Sequence, residues 1–275
     1  MRIVTFSLNG SIQHGVRTER GIRVHPTATS AVDLAVNAAA HPAGQEVALS
    51  EVALLAPVPR PGKVICIGLN YRAHAAEGGN AVPDYPAIFL RGATSLVGPA
   101  SPIILPACSD KLDFEAELAV VIGKTATNVR DNPLAYVAGY CCFNDGTIRD
   151  YQRKTTQWTV GKNFDQTGGF SAELVTPDEL PRGAAGLRIQ ARLNGEIMQD
   201  SNTADLIFDV ATLITTLSEA MTLEPGDVIA TGTPSGVGYA RKPPVFMREG
   251  DRIEIEIDRI GTLTNMIARR ADAQR

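Results

Sequence analysis

The sequence predicts an α+β protein rich in strands. Three observations lead there. The chain carries 25 glycines and 17 prolines among 275 residues, with aromatic residues at only 5%. That is a composition of many turns rather than of a helical bundle. Its apolar runs are short and bounded by turn residues, and only one segment keeps helical periodicity over several turns. Strands and helices do not alternate as they would in a doubly wound sheet.

The elements follow in order. Met1 to Val24 alternates as short strands, with a hairpin at Asn9-Gly10, a dipeptide suited to a two-residue turn. Ser30 caps a helix over 31–40, with Asp33 at its third position. Pro57, Pro59, Pro61 and Gly62 then punctuate the chain. Residues 1–60 therefore read as a small N-terminal α/β domain and 61–275 as the main domain. Val64 to Gly68 is an apolar strand, and residues 86–106 are short strands and loops. Phe114 to Ile122 and Val137 to Phe143 are two further strands. Asp205 to Met221 spaces Leu206, Ile207, Val210, Leu213, Ile214, Leu217 and Met221 as a helix. Val228 to Thr231 is a strand after a Pro-Gly-Asp turn. Ile253 to Asp258 alternates strictly, a strand with one wet face.

Composition narrows the function. At 44% hydrophobic and 20% charged residues, there is enough apolar material for a core, which argues against disorder. Lys and Arg number 26 against 30 Asp and Glu, a net charge of −4, so there is no broad basic face for nucleic acid. No run approaches the ~18 apolar residues that span a bilayer, and Met1 to Phe6 is too short for a signal sequence core. Cys66, Cys108, Cys141 and Cys142 form no CxxC pair. They read as buried free thiols of a cytoplasmic protein. His14, His25 and His41 read as surface residues.

Asp113-Phe114-Glu115-Ala116-Glu117-Leu118 is the most informative stretch. On a strand Glu115 and Glu117 project together while Phe114, Ala116 and Leu118 face the core. Paired carboxylates on a central strand repel unless a proton or cation lies between them. Oxygen ligands suit Mg²⁺, Mn²⁺ or Ca²⁺, whereas a solvated strand face would also explain the pair. Asp145, in Asn144-Asp145-Gly146, could complete a three-carboxylate site or simply make a turn. Arg149, Asp150, Gln152 and Lys162 follow. His74 and Glu77 share one side of a helical turn, as a general-base pair or a surface contact. Gly232 to Gly238 lacks the Lys-Ser/Thr of a phosphate loop. Its N–H groups and the Thr233 hydroxyl could receive a carboxylate.

Taken in this order, with Gly68-Leu69-Asn70-Tyr71, the run from Gln157 to Asp165 and Leu223-Glu224-Pro225-Gly226-Asp227, these segments resemble the fumarylacetoacetate hydrolase family over about residues 60 to 269. The resemblance implies a mixed β-sandwich roll, usually a homodimer. It implies Glu115, Glu117 and Asp145 as ligands of Mg²⁺ or Mn²⁺, His74 and Glu77 as a catalytic dyad on a lid, and Lys162 as an active-site lysine. Arg149, Gln152 and Thr233 match substrate-contacting positions. The larger family members carry one more aspartate before the histidine, and Cys66-Ile67-Gly68-Leu69 has none. The chain therefore resembles the acylpyruvase-like branch. The expected activity is hydrolysis of a C–C bond in a 2,4-dioxo acid of acylpyruvate or fumarylpyruvate type, releasing pyruvate in aromatic or carboxylic acid catabolism. Oxaloacetate-type decarboxylation and 2-hydroxymuconate-type keto–enol isomerisation fit the same residues. A non-catalytic metal- or anion-binding protein is the reading from another class. The expected partner is a small 2-oxo acid, with no nucleic acid and no membrane.

Overall fold

Residues 1–77, 79 and 81–269 are described by the computed structural model. The chain opens on a hairpin, β1 (Arg2–Leu8) with β2 (Ser11–Arg17), Leu8 standing opposite Ser11. Asn9 and Gly10 take the positive φ values, 51° and 80°, that such a turn requires. After β3 (Ile22–Val24), the Ser30 hydroxyl accepts the Asp33 N–H at 3.0 Å and caps α1 (Ala31–Asn37). The helix tightens to 3₁₀ geometry over Ala38–Ala40. Next come β4 (Glu46–Val47), β5 (Ala53–Leu55), β6 (Val64–Gly68), α2 (Arg72–Glu77), β7 (Ala87–Arg91), β8 (Leu96–Val97) and β9 (Ile103–Leu105). Then follow β10 (Leu112–Asp113), β11 (Ala116–Ile122), β12 (Val137–Asn144), β13 (Thr147–Ile148), α3 (Arg149–Gln152) and α4 (Thr159–Lys162). The chain continues through β14 (Gly168–Phe170), β15 (Glu173–Val175), β16 (Arg188–Leu193), β17 (Glu196–Asn202), α5 (Val210–Ala220), β18 (Val228–Ala230), β19 (Arg252–Ile257) and β20 (Gly261–Arg269).

The large sheet runs β4-β3-β2-β1-β15-β12-β11-β18-β6-β7, and a second sheet runs β17-β16-β19-β20-β9. Their facing sides form the main core, where Leu118, Val120 and Ile122 of β11 meet Ile189, Ala191, Ile253 and Ile255. The other face of β11, with Ala119 and Val121, packs in a cluster with Ala31, Val32 and Leu34 of α1. The strand is thus buried on both sides, as the unbroken apolar run from Leu118 to Ile122 predicts. Strand β19 alternates between buried and wetter residues, as expected.

Several expectations change. The β11 strand begins at Ala116 rather than Phe114, because side chains replace the ladder at its start. Asn144 Oδ1 accepts the Glu115 N–H at 3.0 Å, and Gln199 Oε1 accepts the Ala116 N–H at 2.9 Å. The long helix begins at Val210, not Asp205, capped by Asp209, whose Oδ1 accepts the Thr212 N–H at 2.8 Å. Residues 206–208 instead bind the base of α2. Leu206 bridges Tyr71, and Ile207 and Phe208 donate to the backbone and side-chain oxygens of Asn70. Cys66, Cys141 and Cys142 are buried free thiols, but Cys108 is exposed in a turn. His14, His25 and His41 are half-buried rather than on the open surface, hydrogen-bonded to the Thr5 hydroxyl, the His41 carbonyl and the Thr27 hydroxyl respectively.

Candidate functional site

The site lies where β6 and β12 end and β11 begins, and where α2, α3, α4 and the 232–238 loop converge. One ligand oxygen each from Glu115, Glu117 and Asp145 falls within 4.8 Å of the others, and all three residues are buried. Glu117 is on β11, while Glu115 precedes it in the break that Asn144 and Gln199 create. The Asp145 N–H donates to the Glu115 carbonyl at 3.0 Å, locking the end of β12 to that break.

Lys162 Nζ bridges Glu115 Oε2 at 2.7 Å and Asp145 Oδ2 at 2.5 Å. Arg149 Nε holds Asp113 Oδ2 at 2.7 Å and its Nη2 lies 2.7 Å from Glu115 Oε1. That second contact is an ion pair without hydrogen-bond alignment, so Nη2 keeps an unused donor. Arg149 Nη1 donates to Gln152 Oε1 at 3.0 Å. Burial pushes Glu115 up, but Lys162 and Arg149 outweigh it and hold its carboxyl at about 2. Glu117 has no ion-pair partner among the described residues and accepts one bond, from the Gly232 N–H at 2.9 Å. Burial first, then the charges of Asp145 and Glu115, drive its pKa well above the carboxylate range.

An uncompensated carboxylate beside two others is what a divalent cation would relieve, and a set of hard oxygen donors suits Mg²⁺ or Mn²⁺. Glu115, Glu117 and Asp145 are the residues that would hold it.

His74 is buried on α2, and its Nδ1 lies 3.3 Å from Glu77 Oε2. Burial alone would raise Glu77, yet bonds from His74 and the Gly236 N–H keep it below its ordinary value. The Gly236 N–H reaches Glu77 Oε1 at 3.0 Å, so α2 is latched to the 232–238 loop. That loop does receive carboxylates, but they are the protein's own. Gly232 takes Glu117, Gly236 takes Glu77 and Gly238 takes Asp113 at 2.8 Å. Thr233 Oγ1 accepts from Gln199 Nε2 at 2.8 Å.

These groups surround a cavity of about 270 Å³. His74, Glu115, Glu117, Arg149, Gln152, Lys162 and Thr233 line it, together with Phe89, Trp158, Arg153 and Tyr239. Asp145 and Glu77 stand behind Lys162 and His74. The structure thus brings all nine expected residues to one centre. Sequence reasoning missed Arg91, whose Nη1 reaches Asp145 Oδ1 at 2.5 Å. A signal existed, since Arg91 alternates with Phe89 on the inward face of β7. It also missed the roles of Asp113, which gathers Arg149, Gly238 and Tyr239, and of Gln199, whose partners are 34 and 83 residues away. No local pattern could reveal Gln199.

Residues 63–268 match the fumarylacetoacetate (FAA) hydrolase C-terminal family. The chain belongs to the fumarylacetoacetate hydrolase family. Residues 1–57 match a separate family, Rv2993c-like, N-terminal. Among members of the fumarylacetoacetate hydrolase family, the Bos taurus protein named oxaloacetate tautomerase FAHD2A, mitochondrial, is 46% identical over 221 residues. That stretch is 79% of this chain and 70% of the bovine protein. The crystal structure of 5-carboxymethyl-2-hydroxymuconate delta-isomerase from Mycobacterium smegmatis matches with a TM-score of 0.83 at 33% identity. It covers 98% of this chain and 100% of that one. The fumarylacetoacetate hydrolase from Exiguobacterium antarcticum matches with a TM-score of 0.85 at 35% identity, again over 98% and 100%. The strand-rich α+β fold is therefore the family's, and the chain is an enzyme of that family.

Proposed function

We propose that this chain moves a proton between the keto and enol forms of a 2-oxo dicarboxylic acid, as a divalent-cation-dependent tautomerase of oxaloacetate type. The observation that carries this reading is His74, oriented by Glu77, facing the same small cavity as Glu115 and Glu117. A cation held by the three carboxylates would polarise the 2-oxo group and acidify the hydrogens on C3. With Nδ1 engaged by Glu77, His74 has Nε2 left to face substrate. It takes a proton from C3 of the keto form, the C3–H pair becomes the C2=C3 double bond, the carbonyl π pair moves onto the 2-oxygen and that oxygen receives the proton, so no σ bond other than those to hydrogen changes partner. Lys162, Arg91 and Arg149 hold the carboxylates in register. Gln152, which lines the cavity, offers a contact to the substrate's first carboxylate. Phe89 and Trp158, whose rings meet edge-on at 5.7 Å, wall the cavity against water.

The names of the bovine and mycobacterial relatives, a tautomerase and an isomerase, support this choice over hydrolysis. Hydrolysis of a 2,4-dioxo acid is the second reading, favoured by the Glu77–His74 pair. There the pair would deprotonate water for attack on C4, the C3–C4 bond would break and pyruvate would leave as its enolate.

Mixing oxaloacetate with Mg²⁺-loaded protein and following enol absorbance tests the first reading. Acceleration that EDTA abolishes, and that falls about 10²–10⁴-fold in His74→Ala with metal affinity retained, is expected. If oxaloacetate equilibrates no faster with the protein than without it, the reading fails, and pyruvate release from acylpyruvates then decides for hydrolysis.

We also propose a homodimer. Strand β7 ends the large sheet with Ile88 and Leu90 exposed, an apolar edge that soluble proteins usually cover. Light scattering should give twice the chain mass, and Leu90→Glu should shift it to one.

A further inference from the structure

We infer that Arg153 recognises the distal carboxylate of the substrate and makes this site selective for dicarboxylic over monocarboxylic 2-oxo acids. The inference rests on the tautomerase reading only for its choice of substrate class.

Arg149, Gln152 and Arg153 stand at i, i+3 and i+4 on one helical turn, closed by the Arg153 N–H donating to the Arg149 carbonyl at 3.3 Å. That spacing turns the three side chains to one side, and all three line the cavity. The Arg149 and Arg153 guanidiniums each lie 4.4 Å from the centroid of the Tyr239 ring, so they cannot be further apart than twice that distance. Two cations this close are held by the aromatic face between or beside them.

Their charges are spent differently. Arg149 is buried against Asp113 and Glu115, and Lys162 against Glu115 and Asp145. Arg153 is exposed and has no carboxylate partner among the described residues. Lys154 beside it does not line the cavity and lies 3.5 Å over the Tyr151 ring. The cavity's own carboxylates, Glu115 and Glu117, belong to the buried cluster. A planar fork fixed on an aromatic ring at the mouth, with five donors and no anion, fits a carboxylate bidentately. The first carboxylate of a 2-oxo acid belongs beside the metal-binding residues Glu115 and Glu117 that line the cavity. The second, at the other end of a short chain, then falls to Arg153.

Oxaloacetate and 2-oxobutanoate differ at this end by a carboxylate against a methyl group. Equilibrium affinities of the Mg²⁺-loaded protein for both, measured calorimetrically, give the test without requiring turnover. The wild type should favour oxaloacetate by about five- to tenfold, the worth of a charged hydrogen bond at a half-open site. Arg153→Gln should bring the ratio to near one by weakening oxaloacetate alone, and Arg153→Lys should keep part of it. An unchanged ratio in Arg153→Gln, or equal loss for both ligands, overturns the inference. A wild type that discriminates but accelerates no keto–enol exchange overturns the tautomerase reading and leaves this one standing.

Discussion

Glu117 carries the electrostatic strain of the centre. Its two carboxylate neighbours are served by Lys162, Arg149 and Arg91, and it is served by one backbone N–H. Glu117→Gln should therefore leave the metal-free protein as stable as the wild type or more so. It should abolish the stabilisation by Mg²⁺, which in the wild type reaches about 2.7 kcal/mol at a hundredfold excess over Kd. Thermal unfolding with and without Mg²⁺ reads both, and a variant still stabilised by Mg²⁺ would remove Glu117 from the ligand set. The pH dependence has two limbs of opposite sign. Glu115 titrates at about 2 in the fold against an ordinary 4.5, so its stabilisation is complete above 4.5 and is lost as pH falls towards 2. Glu117 is raised, so its contribution is complete below 4.5 and is lost as pH rises through the raised value. In EDTA the unfolding temperature should fall on both sides, and Mg²⁺ should lift the alkaline limb selectively by replacing the proton on Glu117. An equal lift across the pH range would contradict this.

At the scale of elements, Lys162 reaches its carboxylates because α3 and α4 touch through a glycine. A Cβ on Gly161 would lie 2.4 Å from the Gln152 backbone nitrogen. Gly161→Ala should push α4 off α3, cost about 1–3 kcal/mol and draw Lys162 away from Glu115 and Asp145. Denaturant unfolding and Mg²⁺ titration should both register the change, and a fully stable variant with wild-type Mg²⁺ affinity would show that α4 can shift freely. Elements also show where local pattern was sufficient. The 1–17 hairpin, α1 with its Ser30 cap and the wet-faced β19 follow from turn residues and period, which act over a few residues. The start of β11 and the start of α5 do not. Asn144, Gln199 and Asn70 set those boundaries from 29, 83 and 138 residues away, and a distant hydrogen-bond partner leaves no mark on the segment it terminates.

At the scale of the whole molecule, the N-terminal segment is continuous with the catalytic sheet. Strand β1 pairs with β15, Arg2 Nη1 lies 2.8 Å from Glu173 Oε2 and 2.7 Å from the Ile260 carbonyl, and α1 packs on β1 and β12 in the cluster that holds one face of β11. Deleting residues 1–57 should open that edge and that apolar face, giving a chain that aggregates or loses cooperative unfolding. A soluble, cooperatively unfolding remainder would instead support two independent domains divided near residue 60.

The sequence by itself determined the strand-rich class, the paired carboxylates of 115 and 117, and the His74–Glu77 turn, because each is a matter of side-chain type at a short, periodic spacing. Only the tertiary structure decided that Arg91, Asp113 and Gln199 hold the centre in place, that the 232–238 loop spends its N–H groups on the protein's own acids, and that Arg153 is left as the unspent cation at its mouth. Those are statements of charge balance, and charge balance depends on which groups meet in space.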